Sequence, residues 1–273
     1  MVKYNQAPLP FQGQKRRWIK QLQQVAKNLK AGAVVIDVFG GSGIVSHTIK
    51  QARPDCRVIW NDYDRYRDRL ENIDNTNAIL EGLRRIIGDY PDGERIVEPL
   101  RSKILGMLQD WSKSVPVDWL TISNSICFTM KYAHSYEELE KMTLYNNITK
   151  KNYVVNGYLE GVEIVRMDWK EIVEQYRDVE DVVLIMDPPY MLTDVSGYSK
   201  ETYWGIPECL DVAASCCDKN FIYFTSDRSG IEKVLDWVSS HGDINNPFMQ
   251  ADRYVIQVRG KAVNYNDVMY VNI

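Results

Sequence analysis

Five short apolar runs rich in β-branched residues, alternating with longer stretches of helical periodicity, constrain this chain more than any other feature. Residues 33–38 (AVVIDV), 57–61 (RVIWN), 163–167 (EIVRM), 181–186 (DVVLIM) and 221–225 (FIYFT) read as buried strands. Helical patterns cover about 44–51, 168–177, 202–217 and 229–240. Near-continuous apolar strands alternating with helices specify a mostly parallel sheet, because helices then cover both of its faces. Two further runs, 254–258 and 267–272, flank a Gly-containing turn and predict an antiparallel hairpin near the C-terminus. The expected fold class is therefore α/β, with a doubly wound, mostly parallel sheet.

The middle of the chain has a different texture. Residues 65–160 are helical or irregular, punctuated by Gly88, Pro91, Gly93 and Pro116, and carry 13 basic and 14 acidic residues. Such a stretch between strands of one sheet predicts an inserted, mainly helical subdomain at 65–160, with 1–64 and 161–273 forming the main domain. A length of 273 residues has room for one α/β core and one modest insertion.

Composition narrows the class. No apolar run approaches the roughly 20 residues of a membrane span, and the first residues lack a charged-then-apolar signal pattern. A cytoplasmic protein with no membrane association is expected. The five cysteines include the adjacent pair Cys216-Cys217 and no C-x-x-C spacing, so they read as reduced thiols. His47, His134 and His241 lack ligand spacing, and no metal is expected. The net charge of −4 speaks against nucleic-acid binding, so its distribution matters more than its sum. Lys3, Lys15, Arg16, Arg17, Lys20, Lys27 and Lys30 all precede the first acid, Asp37. That block is either a phosphate-facing patch or the solvated face of a helix.

Chemistry concentrates at strand ends. Asp187-Pro188-Pro189-Tyr190 directly follows the run VVLIM, and strand carboxyl ends in open α/β sheets point into the ligand crevice. An ionised Asp187 and the Pro188 carbonyl can each accept one N–H of an exocyclic amine whose lone pair is otherwise delocalised into its ring. The prolines stiffen the loop and place no competing N–H beside that amine, while Tyr190 offers a face for a stacked base. Taken alone, the tetrapeptide equally describes a rigid Pro-Pro turn with an Asp cap. A second motif, Asp37-Val38-Phe39-Gly40-Gly41-Ser42-Gly43, turns a strand into a helix through glycines that allow close approach of a ligand. It lacks the Gly-Lys-Ser/Thr of a P-loop and the final glycine of a hydrolase elbow. Asn61-Asp62 ends the next strand, with Asp62 19 residues after Gly43, where an acid grips a ribose in doubly wound folds. S-adenosylmethionine and NAD both carry such a ribose, and Asp62 could equally cap a helix.

Together these pieces resemble the DNA adenine methylase (Dam-like) family of amino-group methyltransferases. The resemblance rests on Phe11-x-Gly13-x-Lys15, Phe39-x-Gly41-x-Gly43, Asn61-Asp62, Asp168-Trp169 and Asp187-Pro188-Pro189-Tyr190, in the order of the family's alpha group. It implies a Rossmann-like methyltransferase that uses S-adenosylmethionine to methylate adenine N6 of a base flipped from double-stranded DNA. Phe11, Gly13, Lys15, Asp37, Phe39, Gly41, Gly43 and Asp62 would bind the cofactor, with Lys15 near its carboxylate or the target pocket. Asp187, Pro188, Pro189 and Tyr190 would be catalytic, Asp168, Trp169 and Tyr198 would contact the substrate, and 65–160 would recognise the target sequence. Gln14 stands where many relatives have a second glycine. The middle also lacks the Asn-Arg…Phe-Asn-Gly…Arg signature of readers of GATC, the nearest piece being Asn124-Ser125-Ile126-Cys127-Phe128. RNA adenine methylation, DNA cytosine-N4 methylation and a catalytically silent DNA-binding relative are the alternatives. The oligomeric state is not legible, and a restriction partner, replication control and phage self-protection all stay open as roles.

Overall fold

The structure is a computed structural model that describes residues 4–128, 131–190, 204–242, 245–259 and 264–273. The chain forms two compact units. The larger comprises residues 4–6, 14–64 and 159–273, and the smaller is built from 7–13 and 65–158.

The larger unit is a seven-stranded sheet of β1 (Val34–Asp37), β2 (Arg57–Asn61), β3 (Glu163–Val165), β4 (Val182–Met186), β5 (Asn220–Ser226), β6 (Asp252–Arg259) and β7 (Asn264–Asn272). Their spatial order is β3-β2-β1-β4-β5-β7-β6. The first five run parallel to one another, while β7 runs antiparallel to both β5 and β6. The mostly parallel sheet and its antiparallel C-terminal pair are those expected. Every residue of β4 is buried, as an unbroken Val-Val-Leu-Ile-Met run requires in a central strand covered on both faces.

Successive side chains of a strand leave opposite faces, and both faces are covered. On one, Ile36, Ile59, Leu184, Met186 and Tyr223 share a core with Ile172, Val212, Ile231 and Leu235 of the helices Trp169–Gln175, Ile206–Ala214 and Ile231–His241. On the other, the helix Ile44–Ala52 lies against β2 and the helix Ile19–Val25, and Trp18 meets Phe224 edge-on at 6.0 Å. No helix among the described residues is long and apolar enough to cross a membrane.

Three strands are shorter than their periodicity predicts: β1 by one residue at each end, and β3 and β4 each for a local reason. β3 stops at Val165 because the Asn61 side chain takes over the next backbone groups. Its amide donates to Met167 O at 3.0 Å, and its oxygen accepts from Met167 N–H at 3.1 Å. β4 begins one residue late because Asp181 is left-handed, with φ of 55°.

The turn after β1 is set by Trp60 of β2. A Cβ added to Gly40 would lie 2.0 Å from Trp60 Cδ1 and 2.4 Å from its Nε1, and Trp60 is fully buried. Overpacking a rigid core typically costs about 1–3 kcal/mol, and this collision belongs at the upper end. Gly40→Ala is expected to lose about 3 kcal/mol in urea unfolding; an unchanged midpoint would refute the contact.

The smaller unit packs the helices Ile73–Ile87, Leu100–Ser112, Trp119–Ile126 and Tyr136–Leu139 around a core that includes Leu80, Leu83, Ile104, Leu108, Ile122 and Ile126, and the short helix Tyr66–Glu71 leads into the first of them. Segment 7–13, which the sequence reading groups with the main domain, is stitched into this unit. Tyr66 OH accepts from Leu9 N–H and donates to Leu9 O, both at 2.9 Å. Arg69 donates to Pro10 O at 2.8 Å and pairs with the buried Asp118 at 3.0 Å. Asp118 in turn caps the helix Trp119–Ile126 by accepting from Thr121 N–H.

Candidate active site

β1 and β4 are neighbours, in register from Val34↔Val182 to Asp37↔Ile185, and Val38 N–H continues the ladder to Ile185 O at 3.0 Å. The glycine bend and the Asp-Pro-Pro-Tyr loop therefore leave the same edge of the sheet side by side. This is the topological switch point, where successive strands run outward in opposite directions and open α/β folds hold their ligands.

Beyond β1, Gly41 and Gly43 have φ of 45° and 73°, backbone that side-chain-bearing residues rarely adopt. Gly43 N–H closes the turn on Gly40 O at 2.7 Å and leads into the helix Ile44–Ala52. From that helix, Ser46 Oγ–H donates to Asp37 Oδ2 at 2.6 Å. Asp37 is buried, which pushes its carboxyl up to about 7 despite the Ser46 bond, and nearby Asp187 adds to the rise.

Beyond β4, Asp187 Oδ2 lies 2.5 Å from Lys15 Nζ, whose side chain is 8% exposed. The ammonium sits 5.3 Å from the Tyr190 ring centroid and 5.4 Å from that of Phe224. Burial raises the Asp187 carboxyl to about 6, against the lowering influence of Lys15. Asp267 of β7 adds to the rise, and its own Oδ2 accepts from Trp18 Nε1–H at 2.9 Å. Behind the loop, Pro188, Pro189, Tyr190, Tyr223 and Thr225 help line a cavity of about 10 Å³, room for no more than a water. It is far too small for a base.

The remaining edge is acidic and aromatic. Asp62 is buried after β2, and Arg166 Nη2 donates to its Oδ2 at 2.9 Å. Asp168 caps the helix Trp169–Gln175 by accepting from Lys170 N–H at 2.8 Å. Trp169 forms an aromatic triangle with Phe39 and Trp204, their ring centroids 5.6–6.1 Å apart.

No protein-family model matches the chain. It is, however, 31% identical over 241 residues to a Haemophilus influenzae protein named "Putative methyltransferase", an alignment covering 86% of this chain and 80% of that protein. The chain belongs to the methyltransferases. Its seven-stranded, mostly parallel sheet with helices on both sides is the Rossmann-like methyltransferase fold.

The structure of this methyltransferase brings Asp37, Phe39, Gly41, Gly43, Asp62, Asp168, Trp169 and Asp187 through Tyr190 to the carboxyl edge of the parallel strands, with Lys15 bonded to Asp187. Phe11 and Gly13 belong to the smaller unit, where Phe11 meets Tyr66 edge-on at 5.7 Å and Gly13 has φ of 78°. Tyr198 lies outside the described residues. Four residues at this edge escaped the sequence reading: Ser46, Arg166, Trp204 and Asp267. None carries a motif. Ser46 alone had a signal, as the third residue of a helix opened by the glycine bend.

Proposed function

We propose that this methyltransferase uses S-adenosylmethionine to methylate N6 of an adenine flipped out of double-stranded DNA. The observation that carries the reading is Asp187-Pro188 leaving β4 directly beside the glycine bend of β1, with two hydrogen-bond acceptors at a strand end.

The residues present fit the cofactor. Positive-φ glycines let backbone approach it, the Asp62 carboxylate suits a ribose diol once Arg166 turns away, and Phe39, Trp169 and Trp204 supply aromatic faces for an adenine. The bound cofactor supplies an electrophilic methyl group on a sulfonium. Everything else falls to the chain. Asp187 accepts one amine N–H and the Pro188 carbonyl the other, which localises the nitrogen lone pair. As that nitrogen becomes positive on attack, the Asp187 carboxylate stabilises the developing charge, the surplus amine proton then passes through that carboxylate to water, and Tyr190 stacks on the extruded ring. Flipping costs a few kcal/mol, which DNA contacts of the helical unit at 65–158 offset.

A substrate panel tests this. Purified protein with radiolabelled S-adenosylmethionine is expected to label double-stranded DNA above RNA, and digestion should return the label as N6-methyladenosine of the deoxy series. Label in N4-methylcytosine or in RNA would move the target while keeping the chemistry. DNA binding with no label in any substrate would overturn the reading.

A further inference from the structure

Lys15 entered as a cofactor-binding residue, but its surroundings give it a different task. Its ammonium is buried, bonded to Asp187 Oδ2, and bracketed by the rings of Tyr190 and Phe224. Asp187 and Tyr190 belong to the loop that would receive the target amine, and Phe224 to the neighbouring strand β5. We propose that Lys15 is a positioning residue for Asp187: its ammonium holds Oδ2 and, together with the Tyr190 hydroxyl bonded to the same carboxylate, keeps Asp187 ionised and oriented as the acceptor for the amine. The inference rests on the proposed role of Asp187 and goes beyond it.

The charge arrangement explains why a cation is needed there. Asp187 is affected by Asp267 from β7, and it acts in turn on Asp37 of β1, so burial and like charge both oppose its ionisation. Lys15, reaching in from before the first helix, is the cation that favours ionised Asp187 and ionised Asp37. A bidentate partner such as arginine would engage both carboxylate oxygens. A single ammonium engages one, and aromatic walls on two sides hold it in place.

The test compares wild type, Lys15→Met and Lys15→Arg by the Asp187 carboxyl ¹³C titration, cofactor affinity and the pH profile of methylation. Asp187→Asn assigns the ¹³C signal. Removing an opposite charge at this range moves a carboxyl up by ~1–3 pH units. In Lys15→Met the titration and the acid limb of kcat/KM are both expected to move upward by at least ~1 unit. Cofactor affinity should stay within about 2-fold (less than ~0.5 kcal/mol), and Lys15→Arg should restore most of the wild-type midpoint. An unmoved Asp187 titration would overturn the proposal, as would loss of cofactor affinity in step with activity. If Lys15→Met does not fold, the Lys15→Arg titration decides, since it must stay near the wild-type midpoint. The titration needs no nucleic acid, so failure of the adenine reading and failure of the Lys15 reading give different results.

Discussion

Asp187→Asn is expected to abolish methyl transfer, with kcat down by about 10³-fold or more, although the two side chains are nearly isosteric. The reason lies in the partner. Lys15 offers only donors, so an amide at 187 turns its oxygen toward the ammonium 2.5 Å from the present carboxylate oxygen. Its NH₂ then faces the target amine, and two donors confront each other where an acceptor is required. Cofactor affinity should be nearly unchanged, because the bend at Gly41 and Gly43 and the carboxylate of Asp62 are untouched. Single-turnover methylation with parallel cofactor titration measures both. A variant within 10-fold of the wild-type rate would remove Asp187 from the chemistry.

The second large effect concerns stability. Arg69→Met strands the carboxylate of Asp118, whose side chain is 2% exposed, and breaking a buried pair from one side costs about 3–5 kcal/mol. Thr121 still donates to Asp118 through its backbone N–H at 3.1 Å and its hydroxyl at 2.5 Å, which places the loss near the lower end. The same substitution frees Pro10 O, so amides of residues 7–13 should exchange faster with solvent. Adding Asp118→Asn should recover much of the loss, because no buried charge then remains. Urea unfolding of the two variants checks this: a single variant as stable as wild type, or a double variant worse than the single, would contradict the buried-pair account.

The sheet was legible because burial on both faces writes itself as apolar runs of strand length. Arg57–Asn61 forms as its periodicity predicts, and β1 and β4 fall within one or two residues of theirs. Periodicity failed where one polar side chain intervened, as at Asn61, which ends β3 early, or where a non-glycine residue turned left-handed, as at Asp181. The glycine bend and the Asp-Pro-Pro-Tyr loop were visible as motifs, since each is a run of adjacent residues directly after an apolar strand. The partners of those motifs were not. Ser46 on Asp37, Arg166 on Asp62 and Lys15 on Asp187 are pairings made by the fold, and local patterning does not encode them. Segment 7–13 is a similar case: a tyrosine hydroxyl and a guanidinium bind its backbone carbonyls, and no periodic signal accompanies such bonds.

Asn61 has a consequence beyond the length of β3. The same amide that holds Met167 also donates to Val38 O at 3.0 Å, so one side chain rivets the exits of β1 and β3 together. Phe39 and Asp168, each one residue past those anchors, cannot swing independently. Any adjustment that admits a ligand must come from other parts of this rim, such as the guanidinium of Arg166 swinging clear of Asp62, while the riveted pair stays as a fixed jaw.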